Sequence, residues 1–569
     1  MPAPVLREWV IRPSDPDACR LLTETLGLRD LTAAVLAARG HRTTEAARAF
    51  LDGAASPAPD PFLLTGMEQA VDRLHRAVQC RERVLVYGDY DVDGASATSL
   101  YLRFLNGLGL AADFYIPNRI KEGYGLNADA VRRIAASGVA VLITADCGTT
   151  SLDEIALAQF LGMDVIVTDH HLPGAILPPA LALLNPCKPD SGYPFTGLCS
   201  GGLAYKVTSA YYAKYGSAES DPDGALDLVA LATIADVAPL QDENRALARK
   251  GLALLSRGAR PGIRALKAVA GVDGDCGVGT VGFTLAPRIN AAGRLGDAAD
   301  AVRLLVTEDE REAGDLAGLL NRLNQERQRV EAGIVAEAMQ AAEAAPPGPL
   351  VLASRGWHQG VVGIVAARLV DRFHRPAILI ALNENGIGKG SARSVAGVNV
   401  FEAIAQCRDS LDAFGGHAAA AGLTIREDRI PAFRARLTDV LQGPLSSLAS
   451  CHRLLCDAEV ELHGCSPAAV LELGRLGPFG SGNPEPTLVL RHLRIASARI
   501  VGANHLKLAV TDRSGRRLDA IGFKMGTLES RGLSPSEPID VVCALDINVW
   551  NGTERVQLRL KDVRTSVKD

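Results

Sequence analysis

Short apolar runs alternate with helical patterns in the first third of the chain, and this alternation restricts the fold more than any other feature. The strand-like runs are Val84–Tyr87, Ala112–Ile116, Ala140–Ala145 and Asp164–Thr168. Helical patterns separate them at Ala95–Leu108, Asn127–Ser137 and Ser151–Leu161. Strands and helices that alternate at this spacing form right-handed βαβ units, in which a parallel sheet carries helices on both faces. The sequence therefore predicts an α/β domain built on such a sheet.

The first of these runs ends in three aspartates. Val84–Gly88 leads directly to Asp89, Asp91 and Asp93, and Gly94 precedes the next helical pattern. Three carboxylates at one strand end repel each other unless a cation lies among them, and oxygen-rich clusters suit hard divalent ions. The alternative is a solvated acidic turn whose aspartates cap the following helix. This stretch alone leaves both interpretations open.

Side chains of the metal-ligand type follow other predicted elements as well. Asp146 follows the third run, Asp169-His170-His171 follows the fourth, and Asp236 ends a later helical pattern. Because the carboxyl ends of neighbouring parallel strands open on one crevice, we expect Asp146 and His170 to lie beside the first aspartate cluster. Taken alone, His170 and His171 could equally be ordinary loop histidines.

Length, charge and cysteine usage exclude several classes of protein. With 569 residues the chain exceeds the size at which single cores stop growing, so several domains are expected. The net charge of −5 argues against a strongly basic nucleic-acid coat, although 60 lysines and arginines permit a local basic groove. No signal peptide and no membrane span are expected from the apolar runs. The 11 cysteines lack CxxC pairs, which favours reduced thiols in a cytoplasmic protein over a zinc site.

Changes in pattern divide the chain into five predicted parts. These are an N-terminal helical segment at 1–50 with a break at Gly27, a catalytic α/β domain at 51–305, connecting helices at 306–347, a second α/β domain at 348–445 and a β domain at 446–569. An Ala/Pro-rich connector is expected at 54–61, and one or two long charged helices at 308–345, which we expect to act as a rigid spacer. Five short β-patterned runs in the last part favour a small barrel of the OB type.

Separated motifs in this chain resemble those of one family. Three are similar to motifs of the DHH phosphoesterase superfamily and its DHHA1 domain: Gly88-Asp-Tyr-Asp-Val-Asp-Gly94, Asp169-His170-His171 and Gly415-Gly-His-Ala-Ala-Ala-Ala-Gly422. Three more resemble stretches typical of the RecJ single-stranded-DNA-specific exonucleases: Pro287–Leu295, Trp357–Ile364 and Pro478–Pro486. They occur in the family's order and span almost the whole chain. The resemblance implies a parallel-sheet DHH domain joined by long helices to a DHHA1 α/β domain, followed by an OB-type barrel.

The resemblance also implies a site for two divalent ions, Mn²⁺ or Mg²⁺. The implied ligand sets share Asp146 and are Asp89, Asp91 and Asp146 for one ion, and Asp93, Asp146, His170 and Asp236 for the other. His171 would face the scissile or product phosphate, and Asp169 would orient the histidines. Two ions held in this way can activate a water and neutralise the charge that develops on the phosphate and the leaving oxygen.

In RecJ-like enzymes the second α/β block holds the strand being cut. Gly390–Ser394 is predicted as a small-residue loop in which Ser391 and Arg393 would anchor a 5′-terminal phosphate, with a plain turn as the alternative. Gly416 and the glycine before it would permit close backbone approach to a ligand, and His417 would contact phosphate or serve a structural purpose.

Four further residues are candidate contacts to the nucleic acid. Arg288, Asn290 and Arg294 are expected in a glycine-containing loop, where the two arginines would touch backbone phosphates or form an interdomain salt bridge. His358 follows a tryptophan, and the pair offers base stacking with a polar handle, or simply a packed tryptophan beside a surface histidine.

We therefore expect an exonuclease that degrades single-stranded DNA from its 5′ end, releases 5′-mononucleotides and acts in recombination and repair. The polarity, the preference for DNA, and the suggested partners, a single-strand-binding protein and a RecQ-type helicase, are implied by the resemblance alone. The alternative enzyme is a DHH phosphodiesterase of short oligoribonucleotides or cyclic dinucleotides, against which the long C-terminal barrel argues. A third hypothesis is a binding protein on a degenerate scaffold, against which the complete Asp/His set argues.

Overall fold

The computed structural model describes residues 7–52, 58–119, 121–216, 220–448, 453–502, 504–550 and 552–566. Residues 54–57 of the connector predicted at 54–61 lie outside these residues. The chain divides into two units. The barrel unit comprises Met1–Ala58, Pro239–Arg249 and Cys451–Asp569, and the two-sheet unit comprises Pro59–Ala238 and Lys250–Ser450. None of the described helices combines the length and apolarity needed to cross a membrane.

The regular elements are numbered here in chain order. The strands are β1 Glu8–Ile11, β2 Val84–Gly88, β3 Ala112–Tyr115, β4 Val141–Ala145, β5 Asp164–Thr168, β6 Ala182–Leu184, β7 Leu350–Ser354, β8 Ala377–Leu382, β9 Ile387–Arg393, β10 Ala413–His417, β11 Ala420–Arg426, β12 Arg453–Cys456, β13 Ala458–Glu459, β14 Leu488–Val501, β15 His505–Thr511, β16 Arg517–Gly522, β17 Ile539–Trp550 and β18 Thr553–Thr565. The helices are α1 Pro16–Leu26, α2 Asp30–Ala38, α3 Thr44–Asp52, α4 Met67–Cys80, α5 Val92–Gly107, α6 Ala128–Ala136, α7 Leu152–Phe160, α8 Ser200–Tyr215, α9 Leu226–Ala235, α10 Asp242–Arg257, α11 Pro261–Ala270, α12 Val278–Thr280, α13 Ala286–Leu295, α14 Ala299–Val306, α15 Glu310–Glu343, α16 Val362–Phe373, α17 Val400–Ala405, α18 Ile430–Leu448 and α19 Pro467–Gly474.

The barrel unit contains the predicted five-stranded barrel. Strands β14, β15, β16, β18 and β17 pair in that order, and β17 pairs back onto β14, so the sheet closes on itself. One apolar cluster joins the barrel interior to α1, α2 and α19, so the N-terminal helices share the core of the barrel. Gly27 ends α1 with φ +63°, as the sequence break predicted. The parallel pairing of β1 with β12 was not predicted.

The first sheet of the other unit has the order β3-β2-β4-β5-β6 and is parallel throughout. Every residue of β2 and β4 is buried, which explains why both appear in the sequence as continuous apolar runs. Leu85 and Tyr87 of β2 pack with residues of α6 and α7. Helix α5 packs against α8 and α9. The sheet and the helices that cover it match the predicted α/β domain.

The second sheet has the order β10-β11-β9-β8-β7, in which only β7 and β8 are parallel. The prediction of a loop at Gly390–Ser394 was wrong, because residues 390–393 belong to β9. Small residues in β9 are required by packing, since a Cβ at Gly390 would lie 2.6 Å from the side chain of Leu423. A strand of such residues carries no apolar periodicity, and therefore the sequence pattern does not reveal it.

Helix α15 is a single helix of 34 residues that connects the two sheets of its unit. It packs against α11 and α13, which precede it in the chain, and against α16, which follows it. Its buried residues include Ala313, Ala317 and Leu320, which lie on one helical face. The fold class predicted from the sequence, two α/β blocks joined by helices and followed by an OB-type barrel, is confirmed.

Candidate active site

Three aspartates each follow a strand of the parallel sheet by one residue. Asp89, Asp146 and Asp169 follow β2, β4 and β5, which are neighbours in the sheet. The N–H of each donates to the carbonyl of the last residue in the adjacent strand, at 3.1, 3.0 and 3.2 Å respectively. The sheet's hydrogen bonds therefore extend one residue beyond the strands and bring the three aspartates side by side.

Asp91 and Asp93 lie where α5 begins. Asp91 is the N-cap and accepts a hydrogen bond from the N–H of Gly94 at 3.1 Å, so the capping alternative describes this residue correctly. Asp93 is buried, and its two oxygens accept hydrogen bonds from the N–H groups of Ser200 and Gly201, each at 2.8 Å. The first turn of α8 thus holds this carboxylate, and the cluster is not a solvated acidic turn.

His170 lies among three carboxylates. Its Nε2 is 3.1 Å from Oδ1 of Asp146, 3.6 Å from Oδ2 of Asp93 and 3.8 Å from Oδ2 of Asp236. Asp236 occupies the C-cap of α9. Ser200 also donates its hydroxyl to Oδ1 of Asp146 at 3.1 Å, a contact that the sequence did not predict.

The described residues contain three groups whose potential ligand atoms all lie within 4.8 Å of one another. These are Asp89, Asp91 and Asp146; Asp93, His170 and Asp236; and Asp146, His170 and His171. The first two groups contain the residues of the two implied ligand sets. Asp146 is within hydrogen-bond distance of His170 and therefore links the two groups.

The chemistry of these residues fits a pair of hard divalent ions. Oδ1 of Asp89 is buried and has no hydrogen-bond partner among the described residues. Burial and the neighbouring Asp91 raise the pKa of Asp89 well above its usual range, and burial and Asp93 do the same for the pKa of Asp146. Burial followed by repulsion from Asp93 raises the pKa of Asp236 to about 8. Divalent cations relieve such repulsion, and carboxylate and imidazole ligands suit Mn²⁺ and Mg²⁺.

Asp169 organises the loop that carries the two histidines. Its carboxylate accepts hydrogen bonds from the N–H groups of Thr149, His170 and His171 and from Nδ1 of His171, the last at 2.8 Å. Burial alone would raise the pKa of Asp169, but the hydrogen bond and charge of His171 outweigh it and lower the pKa. Burial alone would lower the pKa of His171, but Asp169 outweighs burial and raises it to about 9. In the metal-free protein His171 is therefore protonated at neutral pH.

Tyr124 adds a further contact beside the histidine loop. Its hydroxyl donates to the backbone carbonyl of Asp146 at 3.0 Å and lies 3.1 Å from Nδ1 of His171. The aromatic ring is half exposed beside these residues. Tyr124 thus forms part of the wall on which His171 lies.

His417 of the second sheet lies opposite His171. The two ring centroids are 6.0 Å apart, and the planes are inclined by 21°. Gly416 has φ +141°, and a Cβ there would lie 2.5 Å from the carbonyl oxygen of Ala420. Strand β11 therefore lies close to Gly416, and the approach of a ligand to this glycine stays a prediction.

Ser391 and Arg393 lie together on β9, close to the first turn of α16. Nη1 of Arg393 is 3.2 Å from Oγ of Ser391. A Cβ at Gly363, the second residue of α16, would lie 2.7 Å from Oγ of Ser391 and 3.2 Å from Nη2 of Arg393. The absence of a side chain at Gly363 therefore keeps a hydroxyl, a guanidinium and a helix N-terminus next to each other.

Two further guanidinium groups, those of Arg119 and Arg294, lie near Arg393. Burial lowers the pKa of Arg393, and Arg119 lowers it further. Burial, Arg119, Arg327 and Arg393 together lower the pKa of Arg294 to about 10. Arg119 lies over the ring of Tyr90, 4.8 Å from its centroid. Arg119 thus lies close enough to lower the pKa of both Arg294 and Arg393, and it was missed because no motif surrounds it.

Three of the residues predicted to contact the nucleic acid lie on a helix and not in a loop. Arg288, Asn290 and Arg294 lie on helix α13, so the predicted loop was wrong. Arg288 donates to Asn321 of α15 at 3.0 Å, and Arg294 donates to the carbonyl of Gly360 at 2.8 Å. Both contacts are to neutral oxygens and are not salt bridges. Asn290 is partly exposed on the same helix.

Of the two residues Trp357 and His358, the tryptophan has a structural role. Trp357 is buried in the apolar cluster beneath α16, and its indole N–H donates to Glu337, so the packed-tryptophan alternative is correct. His358 is half buried, and its Nδ1 accepts a hydrogen bond from the N–H of Gly360 at 3.1 Å. Burial lowers the pKa of His358.

Three family models match the chain. They describe the DHH family N-terminal domain over residues 83–233, the DHHA1 domain over residues 348–443 and the RecJ OB domain over residues 456–562. Together they cover both sheets and the barrel.

Similar proteins span nearly the whole chain. The protein named single-stranded-DNA-specific exonuclease RecJ from Bacillus subtilis is 41% identical and aligns over 98% of this chain and 71% of its own length. The protein of the same name from Escherichia coli is 37% identical over 88% of this chain and 90% of its own length. The crystal structure of RecJ with Mn²⁺ from Thermus thermophilus superposes with a TM-score of 0.84 at 32% identity, covering 99% of this chain and 80% of that one. A second structure of that protein contains Mg²⁺.

Proposed function

Since the chain belongs to the RecJ family, we propose that it is a metal-dependent exonuclease that degrades single-stranded DNA from the 5′ end and releases 5′-mononucleotides in recombination and repair. The observation that carries the proposal is the pair of Asp/His groups linked by Asp146 at the carboxyl edge of the parallel sheet. A two-metal phosphodiesterase uses such a pair of sites to bind two ions on one phosphate.

The ions are Mn²⁺ or Mg²⁺, and we assign their ligands from the two groups. Asp89, Asp91 and Asp146 would hold one ion, and Asp93, His170 and Asp236, with Asp146, would hold the other. When bound, the ions lower the pKa of a water and offset the negative charge that builds on the phosphate and leaving oxygen. The N–H groups at the start of α8 orient Asp93, because they donate to both of its oxygens.

His171 supplies a hydrogen-bond donor to the phosphate. Its Nδ1 is held by Asp169 at 2.8 Å, so Nε2 is the ring atom left to donate to a phosphate oxygen. Asp169 itself orients the histidine loop and meets no substrate. His417, whose ring lies near that of His171, contacts the same phosphate from the second sheet.

The 5′ end is recognised by the residues around β9. Ser391 and Arg393 bind the terminal phosphate, Arg119 adds positive charge, and Gly416 shapes the hairpin beside them. Arg294 and His358 line the approach to this site, and Arg288 and Asn290 lie further along α13. A 5′-terminal phosphate occurs only at the end of a strand. A site that binds this phosphate therefore favours exonucleolytic attack from the 5′ side.

We also propose the cellular setting that the family suggests. The protein acts in the cytoplasm together with a single-strand-binding protein and a RecQ-type helicase. Its described cysteines are all free thiols, which suits a reducing compartment. The five-part division at residues 50, 305, 347 and 445 is retained as a proposal for the limits of the domains.

A nuclease assay with four substrates tests the proposal. Oligonucleotides of one sequence are supplied with Mn²⁺ as a 5′-phosphorylated single strand, a 5′-hydroxyl single strand and a blunt duplex, and a 5′-labelled dinucleotide is the fourth. We expect rapid release of mononucleotides from the phosphorylated single strand and little digestion of the duplex.

The other outcomes discriminate between the hypotheses. Equal digestion of duplex and single strand would contradict the proposal. Faster turnover of the dinucleotide than of the long single strand would favour the alternative phosphodiesterase. Binding without turnover in Mn²⁺ would favour the degenerate scaffold.

A further inference from the structure

Asn185 lies directly behind the loop that carries Asp169 and His171. It is the first residue after β6 and is fully buried. It belongs to none of the three potential ligand groups found among the described residues. Its position at the end of the strand next to β5 places its side chain under the histidine loop.

The amide of Asn185 connects three backbone segments. Nδ2 donates to the carbonyl oxygen of His171 at 2.8 Å and lies 2.9 Å from Oγ1 of Thr149. Oδ1 accepts a hydrogen bond from the N–H of Cys187 at 2.7 Å. Since two acceptors face the nitrogen and an N–H faces the oxygen, only this orientation of the amide satisfies all three contacts.

These contacts hold two residues that donate hydrogen bonds to Asp169, namely Thr149 and His171. The N–H of Thr149 donates to Oδ2 of Asp169 at 2.9 Å, so Asn185 and Asp169 bind the same threonine. The backbone of His171 is held on both sides, because its N–H donates to Asp169 and its carbonyl accepts from Asn185. With the backbone fixed, the ring can keep Nδ1 on Asp169.

We propose that Asn185 is a positioning residue, which orients His171 toward the reacting phosphate by holding its carbonyl. The inference rests on the function proposed above, in which His171 contacts that phosphate. Asn185 touches neither substrate nor ions. We expect its effect to pass mainly through His171. Replacing Asn185 should therefore slow the catalytic step more than it weakens the binding of substrate or metal.

The variant N185D tests this role with little change of shape. The substituted side chain can still accept from Cys187, but it presents an oxygen in place of the donor to the carbonyl of His171. We expect kcat on 5′-phosphorylated single-stranded DNA to fall by about 10- to 100-fold, the usual loss when a residue that orients a catalytic group is removed. KM should stay within about twofold, and so should the Mn²⁺ affinity measured calorimetrically on the metal-free protein, because the residue meets neither.

A double-mutant cycle separates positioning from a general structural effect. If Asn185 acts through His171, N185D should lower the residual kcat of H171A by less than about twofold. A further loss of the full size in the H171A background, or a wild-type kcat for N185D, would overturn the inference. If N185D fails to fold, the cycle is run with N185A, which also removes the donor to the carbonyl of His171.

A matched control is available in the same unit. Asn324 is also a buried asparagine, and its side-chain oxygen accepts hydrogen bonds from Arg327 on its own helix. N324D should therefore leave kcat unchanged. If the wild type and N324D both lack nuclease activity, the proposed function fails; if both are active and N185D matches them, only the inference about Asn185 fails.

Discussion

Nε2 of His170 lies 3.1 Å from Oδ1 of Asp146, and this contact joins the two halves of the candidate metal site. Each half contains carboxylates that are buried and that repel one another in the metal-free protein. Asp146 is the residue that we assign to both halves. Its replacement should therefore affect both ions at once.

We expect D146N to abolish cleavage while the protein remains folded. The activity loss should be at least about 10³-fold, because both ions lose a ligand. Calorimetry should show fewer than two Mn²⁺ ions bound per chain. Without metal, the thermal stability should not fall, since the substitution removes one of several repelling carboxylates. The control is D129N, at an exposed aspartate on α6. Retention of wild-type activity by D146N would refute its assignment to both ions.

Arg393 should determine the preference for a 5′-phosphate. We expect R393M to raise KM for a 5′-phosphorylated strand by about 10- to 100-fold, because a charge-assisted hydrogen bond contributes about 1.5–3 kcal/mol. The KM for a 5′-hydroxyl strand should change little. R426M, at an exposed arginine of the same sheet, is the matched control. A parallel loss on both substrates would mean that Arg393 does not read the terminal phosphate.

Much of this arrangement could be predicted from the sequence. The strand ends at Asp89, Asp146 and Asp169 follow continuous apolar runs, and in a parallel sheet such ends necessarily meet at one edge. The apolar pattern and the topology of the sheet both place these aspartates at the same edge. Predicting their positions therefore required no knowledge of long-range packing or of side-chain conformations.

The parts that escaped prediction depend on contacts between distant segments. Ser200 meets Asp146 across 54 positions of the chain, and no local pattern marks a serine as a carboxylate partner. Strand β9 lacks apolar periodicity because packing against Leu423 requires glycine at position 390. The sequence of helix α13 resembles that of a loop because Gly293 lies inside it. Packing, and not a turn of the backbone, explains the glycine at this position.

Gly293 should tolerate no side chain. A Cβ at this position would lie 2.5 Å from the carbonyl oxygen of Tyr90, in the turn between Asp89 and Asp91. We expect G293A to lower the free energy of unfolding by about 1–3 kcal/mol, as overpacking does, and to reduce kcat by moving that turn. Chemical denaturation and the nuclease assay measure the two effects.

The control for G293A is G333A, for which we expect a change in the free energy of unfolding of the opposite sign. Gly333 is in α15 with nothing within 4 Å of its missing Cβ. G333A should raise the free energy of unfolding by about 0.5–1 kcal/mol, because alanine favours a helix interior. If the two variants shift stability in the same direction, the close approach of α13 to Tyr90 is not what limits position 293.

His41 should make the barrel unit sensitive to mild acid. Its ring lies 4.3 Å from that of Phe50, and burial, then Arg245 and Arg39, lower its pKa below 6.5, against an opposing effect of Asp242. The unfolded chain therefore binds a proton more readily. The contribution of His41 to stability is complete above pH 6.5 and is lost as the pH falls through the lowered folded pKa.

The variant H41Q isolates this contribution. Between about pH 7 and pH 5 the unfolding free energy of H41Q should fall less steeply than that of the wild type. H463Q, at an exposed histidine, should keep the wild-type slope. Equal slopes for the wild type and H41Q would show that His41 is not the group responsible.

The hydrogen bonds that extend the parallel sheet by one residue have a consequence for how this protein can change over generations. Asp89, Asp146 and Asp169 are aligned by the backbone of the neighbouring strand and not by their own side chains. Inserting or deleting one residue within β2, β4 or β5 would turn the following aspartate to the opposite side of the sheet. Point substitutions on the helices that cover the sheet leave that alignment intact. Lineages of this chain should therefore tolerate no change of length in the three strands that lead to the site.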